Sequence, residues 1–171
     1  MNIPIEKIKS IPKEKLLELI GKFKDYLKDN AIVKDMFEDY GVNIDFLDAV
    51  PVYFSDLDVS AQTVKGVIHL NYKLLQDKSV DNLFRVAGYM VHELTHVLQQ
   101  VTGKEATENT DRVEGKNYLG SEEEMEAFKN QIEYDKETLG ENEANRYVKH
   151  LLDYHEIAGK DREDLKEELL G

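Results

Sequence analysis

Residues 91–100 read VHELTHVLQQ, and within them His92, Glu93 and His96 have the spacing H-E-x-x-H. On a helix, side chains four apart lie one above the other, about 6 Å along the axis. Two imidazoles at that separation can converge on one cation. Glu93 projects about 100° further round, beside such an ion rather than onto it. A base that activates a coordinated water needs that offset. The same residues on an ordinary amphipathic helix would be two histidines on a solvated face. Gly88, one turn before His92, is expected to leave space above the site.

A zinc ion held by two histidines needs a third protein ligand and an open position for water. The chain has no cysteine, so the third ligand is a histidine, aspartate or glutamate. His69 falls in a predicted strand, and His150 and His155 lie far along the chain. The run after His96, VLQQVTGKEA, lacks the H-x-x-G-x-x-H extension of the metzincins. The acidic stretch SEEEMEAFKNQIEY offers Glu122, Glu123, Glu124 and Glu126. Acidic residues also gather in a helix's first turn simply because its dipole favours them there. Periodicity separates them: Met125, Phe128, Ile132 and Leu139 define a buried stripe. Glu124 lies about 65° from its centre, whereas Glu126 and Glu123 point about 135° and 165° away. Glu124 shares a flank with Ala127, a small residue that allows close approach of a neighbouring helix. Glu124 is the preferred third ligand. Glu141, in the similar run ENEAN, is the fallback, and Glu123 and Glu126 stay open.

The elements that must position these residues are legible in outline. Leu16, Leu19, Ile20, Phe23 and Leu27 recur at helical spacing over residues 13–29, and a short helix over about 31–40 stops at Gly41. The runs AVPVYFSDLDVS and TVKGVIHLNYKLL read as two or three short strands, the first beginning at Pro51 or lying at an edge. Ser79 or Asp81 caps a helix of about twenty residues that ends before Gly103. On its wheel, Leu83, Ala87, Met90, Val91, Leu94, Leu98 and Val101 share one face. His92 and His96 fall opposite, with Arg85, Gly88, Tyr89 and Gln99. Residues 102–121 read as a long polar loop. Ser121 caps the acidic helix, Gly140 breaks it, another helix covers about 141–157, and residues 160–171 form a last, exposed helix.

Composition bounds the rest. A chain of 171 residues, 41% hydrophobic and 33% charged, is expected to form one globular domain. Its parts are N-terminal helices (13–40), a core (50–155) and a C-terminal helix (160–171). The formal net charge of −13 repels nucleic acid. No window approaches the length of a membrane span, and the N-terminal residues lack a signal-type apolar core, so a cytoplasmic location is expected. Thiolate metal sites, disulfides and cysteine nucleophiles are excluded.

The strand GVIHLN, the helix VHELTHVLQQ and the acidic run YLGSEEEMEAFKNQIEY give residues 50–155 a resemblance to the zincins. More narrowly, the chain resembles small gluzincin-like metallopeptidases of phages and bacteria. Its H-E-x-x-H-x-x-Q-Q part is similar to a domain that accompanies bacterial contractile injection systems. Its E-x-E-A pattern is similar to that of metallopeptidases that cleave repressors encoded by mobile elements. The resemblance implies an α+β, mostly helical fold with a small twisted sheet packed on the H-E-x-x-H helix, whose edge strand pairs with an extended protein or peptide substrate. It also implies Zn²⁺ bound by His92, His96 and Glu124, with Glu93 as general base of an endopeptidase. A fold does not supply the substrate.

Two other functions compete with hydrolysis. One is a structural or accessory component of a phage particle or secretion apparatus that keeps zinc for stability. The other is a peptidase that cuts one folded repressor, for which residues 13–40 are the available specificity module. Glu93 discriminates, because a structural ion needs no base. Tyr118, Tyr134, Tyr154 and His155 are all possible oxyanion donors, and the sequence selects none of them.

Overall fold

The computed structural model describes residues 2–103 and 121–171. The architecture is α+β and mostly helical, with one small mixed sheet. Helices α1 (Ile5–Lys9), α2 (Lys13–Lys28) and α3 (Ala31–Asp39) come first, followed by a 3₁₀ turn over Ile44–Ala49. Helix α2 buries Leu16, Ile20, Phe23 and Leu27, as its period requires. Helix α3 is capped by the Asn30 side chain, which accepts hydrogen bonds from the Ile32 and Val33 amides.

Three strands follow: β1 (Val52–Ser55), β2 (Ala61–Val64) and β3 (Val67–Asn71). The sheet order is β1-β3-β2, with β1 parallel and β2 antiparallel to the central β3. Pro51 therefore immediately precedes a terminal strand, where its missing N–H breaks no ladder. The β2–β3 turn places Lys65 and Gly66 at φ 50° and 78°. Positive values at both central positions are those of the type I′ turn that matches strand twist. The sheet rests on α4 through β2 and β3.

Helix α4 (Val80–Val101) begins at Ser79, whose side chain accepts from the Asn82 amide, and ends before Gly103 at φ 78°. From Val86 to Gln99 every residue except Tyr89 is buried. The face carrying His92 and His96 is covered as well, which sets aside the alternative of two histidines on a solvated face. The apolar ends Leu83 and Val101 are instead 43% and 50% exposed, because they overhang the layers that cover the centre.

Helix α5 (Glu122–Leu139) supplies the cover. It is capped by Ser121 and ends at Gly140, φ 96°. Gln99 meets Glu123 and Glu126, Thr95 meets Asn130, and Gly88 meets Asp135, so α4 and α5 run antiparallel. Gly88 does not open space above the site. A Cβ there would meet Asp135 Oδ1 at 2.7 Å, so the glycine instead lets α5 approach.

Helix α6 (Glu141–Tyr154) stops three residues before the expected 157, with Glu156 at φ 56° turning the chain. Helix α7 (Gly159–Leu170) is not wholly exposed. Leu165 and Leu169 are buried against Met125, Phe128 and Ile132 of α5 and the apolar face of α6 in a second cluster. Tyr134, from the opposite side of α5, joins the main core of α2, α3, the sheet and α4. Among the described residues no helix is long and apolar enough to cross a membrane. The expected loop at 102–121 falls almost entirely outside the described residues.

Candidate metal centre

The middle of α4 presents His92, Glu93 and His96, each at most 6% exposed. The imidazole centroids of His92 and His96 are 5.0 Å apart. The first turn of α5 brings Glu124 across to them. Its Oε1 lies 3.2 Å from His92 Nε2 and 2.9 Å from His96 Nε2. One ligand atom from each of the three lies within 4.8 Å of the others. Donors at 2.0–2.2 Å around a tetrahedral zinc are separated by about 3.3 Å. The residues therefore fit such an ion, and two imidazoles plus one carboxylate is a donor set of catalytic zinc.

Glu124 is the acidic residue that periodicity selected, and its side chain is 14% exposed. Burial pushes its carboxyl up, but the hydrogen bonds and charge interactions with His92 and His96 outweigh burial and hold it well below the usual carboxylate range. The alternatives go elsewhere. Glu141 is exposed at the start of α6. The Glu123 carbonyl accepts from Gln99 Nε2 at 3.0 Å. Glu126 does not point away from α4 as the wheel suggests: its Oε1 accepts from Gln99 Nε2 at 2.8 Å and from the Tyr40 hydroxyl. A long side chain reaches round the helix that its Cβ direction alone would place outward.

Glu93 is fixed from the sheet. Thr63 of β2 donates its hydroxyl to Glu93 Oε1 at 2.9 Å, while Oε2 lies 4.0 Å from His92 Nε2. One carboxylate oxygen is anchored and the other faces His92. The neighbouring Gln100 Oε1 accepts from the Gly66 amide at 2.8 Å, which ties the β2–β3 turn to the same helix.

The ring of His92 is held edge-on to Phe128, centroids 4.4 Å apart. Its Nδ1 is buried without a hydrogen-bond partner among the described residues. His96 differs, since its Nδ1 lies 2.8 Å from Gln99 Oε1. The remaining histidines stay away from this cluster. His69 contacts Ser55 Oγ through Nδ1 at 3.2 Å on β3, His150 is exposed on α6, and His155 packs on Tyr154.

Of the possible oxyanion donors, Tyr118 lies outside the described residues. The buried Tyr134 donates its hydroxyl to that of the more exposed Tyr26 at 3.1 Å. Burial, and then this contact, hold it well above the usual tyrosine range. Tyr154 is 67% exposed at the end of α6.

Thr63, Gln99, Glu126 and Tyr40 are the site's supporting residues that motif spacing alone does not select. Gln99 had a local signal: it lies three residues after His96, on the same flank of a helix. Thr63 and Tyr40 come from other elements and had none. Comparison of the chain with protein-family models, curated proteins and solved structures finds no match.

Proposed function

We propose that the protein is a zinc-dependent metallopeptidase that hydrolyses a peptide bond with Glu93 as general base. The observation that carries this reading is the buried Glu93 carboxylate, anchored by Thr63 at one oxygen and facing His92 with the other. A structural ion needs His92, His96 and Glu124 but gives no reason to bury and orient a second acidic side chain beside them. Burying a carboxylate is costly unless it is hydrogen-bonded and put to use.

Zinc held by His92, His96 and Glu124 would supply Lewis acidity, bringing a water's pKa to near 7 and polarising the scissile carbonyl. Glu93 accepts the water's proton at Oε2 and afterwards donates it to the leaving amine. Thr63 keeps the carboxylate from rotating away during that exchange. The position of β2, a terminal strand of the sheet whose Thr63 touches the base, supports an extended peptide as substrate.

Glu93→Gln tests the proposal. Gln keeps the size and still accepts from Thr63 but cannot take up the proton. With zinc-loaded protein and unfolded casein as substrate, we expect the rate to fall about 10²–10⁴-fold, with zinc content and melting temperature unchanged. Undiminished cleavage would remove Glu93 from the mechanism. Zinc binding by wild-type protein that cleaves neither casein nor proteins encoded beside it would favour a structural ion.

A further inference from the structure

We infer that Tyr40, Glu126 and Gln99 form a positioning chain that fixes the tautomer of His96, so that its Nε2 is the nitrogen offered to a metal. The inference rests on the metal reading of His92, His96 and Glu124.

The direction of the chain follows from groups that have no hydrogen to give. The amide nitrogen of Gln99 lies 2.8 Å from Glu126 Oε1 and 3.0 Å from the Glu123 carbonyl. Both are acceptors, so Gln99 must turn its NH₂ towards them. Its Oε1 then faces His96 Nδ1 at 2.8 Å. A carbonyl oxygen can only accept, so Nδ1 carries the proton. Nε2, 2.9 Å from Glu124 Oε1, is then the nitrogen that a metal would take in place of the hydrogen it gives Glu124 in the metal-free protein.

Glu126 is what makes the arrangement one-way. A carboxylate accepts from both Gln99 and the Tyr40 hydroxyl. Gln99 is completely buried, so turning its amide over would set oxygen against oxygen twice in a dry environment. Such unpaired contacts are heavily penalised. Tyr40 sits at the C-terminal end of α3, 86 positions before Glu126 in the chain. The N-terminal helices therefore complete the surroundings of a ligand on α4. Among the described residues no corresponding partner reaches Nδ1 of His92, so there the two imidazoles are held by different means.

Outer partners of this kind typically contribute 10–100-fold in metal affinity. The test uses zinc ion as the probe and needs no substrate. Zinc affinity is measured by chelator competition for wild type, Gln99→Met and Tyr40→Phe. In parallel, ¹H–¹⁵N spectra of the zinc-loaded proteins report which histidine nitrogens carry hydrogen. Wild type should show a slowly exchanging Nδ1–H on His96. Gln99→Met should bind zinc 10–100-fold more weakly, with faster exchange of that proton. Tyr40→Phe, which perturbs the chain far from the ion, should shift both readouts in the same direction by a smaller factor. Wild-type affinity in both variants, or hydrogen on Nε2 with zinc on Nδ1 of His96, would overturn the chain while leaving the metal reading intact. If wild-type protein binds no zinc, the metal reading fails and this inference falls with it.

Discussion

The carboxylates of Glu93 and Glu124 both approach His92, and their environments differ. Glu124 has both histidines within hydrogen-bond reach of one oxygen. Glu93 gives one oxygen to Thr63, and its second oxygen approaches His92 at 4.0 Å. Replacing Glu124 by alanine should weaken zinc binding at least 100-fold, since it removes one of the three proposed protein ligands. Glu123→Ala and Glu141→Ala should leave it within a factor of about two, a contrast that chelator competition measures directly. Thr63→Val keeps the shape of the side chain but removes the donor. It should lower kcat about tenfold while KM and zinc content hold, and Thr63→Ser should restore most of the rate. A change in KM alone would assign Thr63 to substrate binding instead.

At the scale of elements, the antiparallel packing of α4 on α5 makes the centre, and Gly88 sets how close they come. A glycine in mid-helix ordinarily costs about 1 kcal/mol relative to alanine. Here Gly88→Ala should instead destabilise the protein, by about 1–3 kcal/mol, because its Cβ meets Asp135 Oδ1 at 2.7 Å. In an Asp135→Ala background the same substitution should become stabilising, and urea denaturation of the four proteins gives both values. Asp135 itself is pushed up to about 7, first by burial and then by the Glu143 carboxylate, with Arg85 acting in the opposite direction. Between its ordinary value of 3.8 and about 7, the folded protein retains a proton that the unfolded chain has released. Stability from this group therefore declines as pH rises through that window. The advantage of Asp135→Asn over wild type in zinc-free melts should grow from pH 5 to pH 8. A constant difference would show that Asp135 is ionised throughout. These contacts also explain what was legible beforehand. Caps, the two helices' apolar stripes and Glu124 follow from local period and spacing. The covering of the His92 face, the inward reach of Glu126 and the contact at Gly88 arise only when a second helix arrives, which a wheel drawn for one helix cannot contain.

Across the whole molecule, three parts of the chain converge on one spot. The N-terminal helices contribute Tyr40, the sheet contributes Thr63, and α4 and α5 carry His92, His96 and Glu124. The surface is strongly acidic, with a formal net charge of −13, which favours cations near the protein without selecting among them. Selection falls to the donor set, and binding a cation to the folded state alone must raise stability. Free zinc at 1,000 times its Kd would add about 4 kcal/mol. The most direct measurement of the central claim is a calorimetric titration of chelator-treated protein with zinc, carried out alongside His96→Ala. We predict one zinc per chain for the wild type and loss of that site in the variant. Absence of a stoichiometric site in the wild type, or an undiminished one in His96→Ala, would contradict the account.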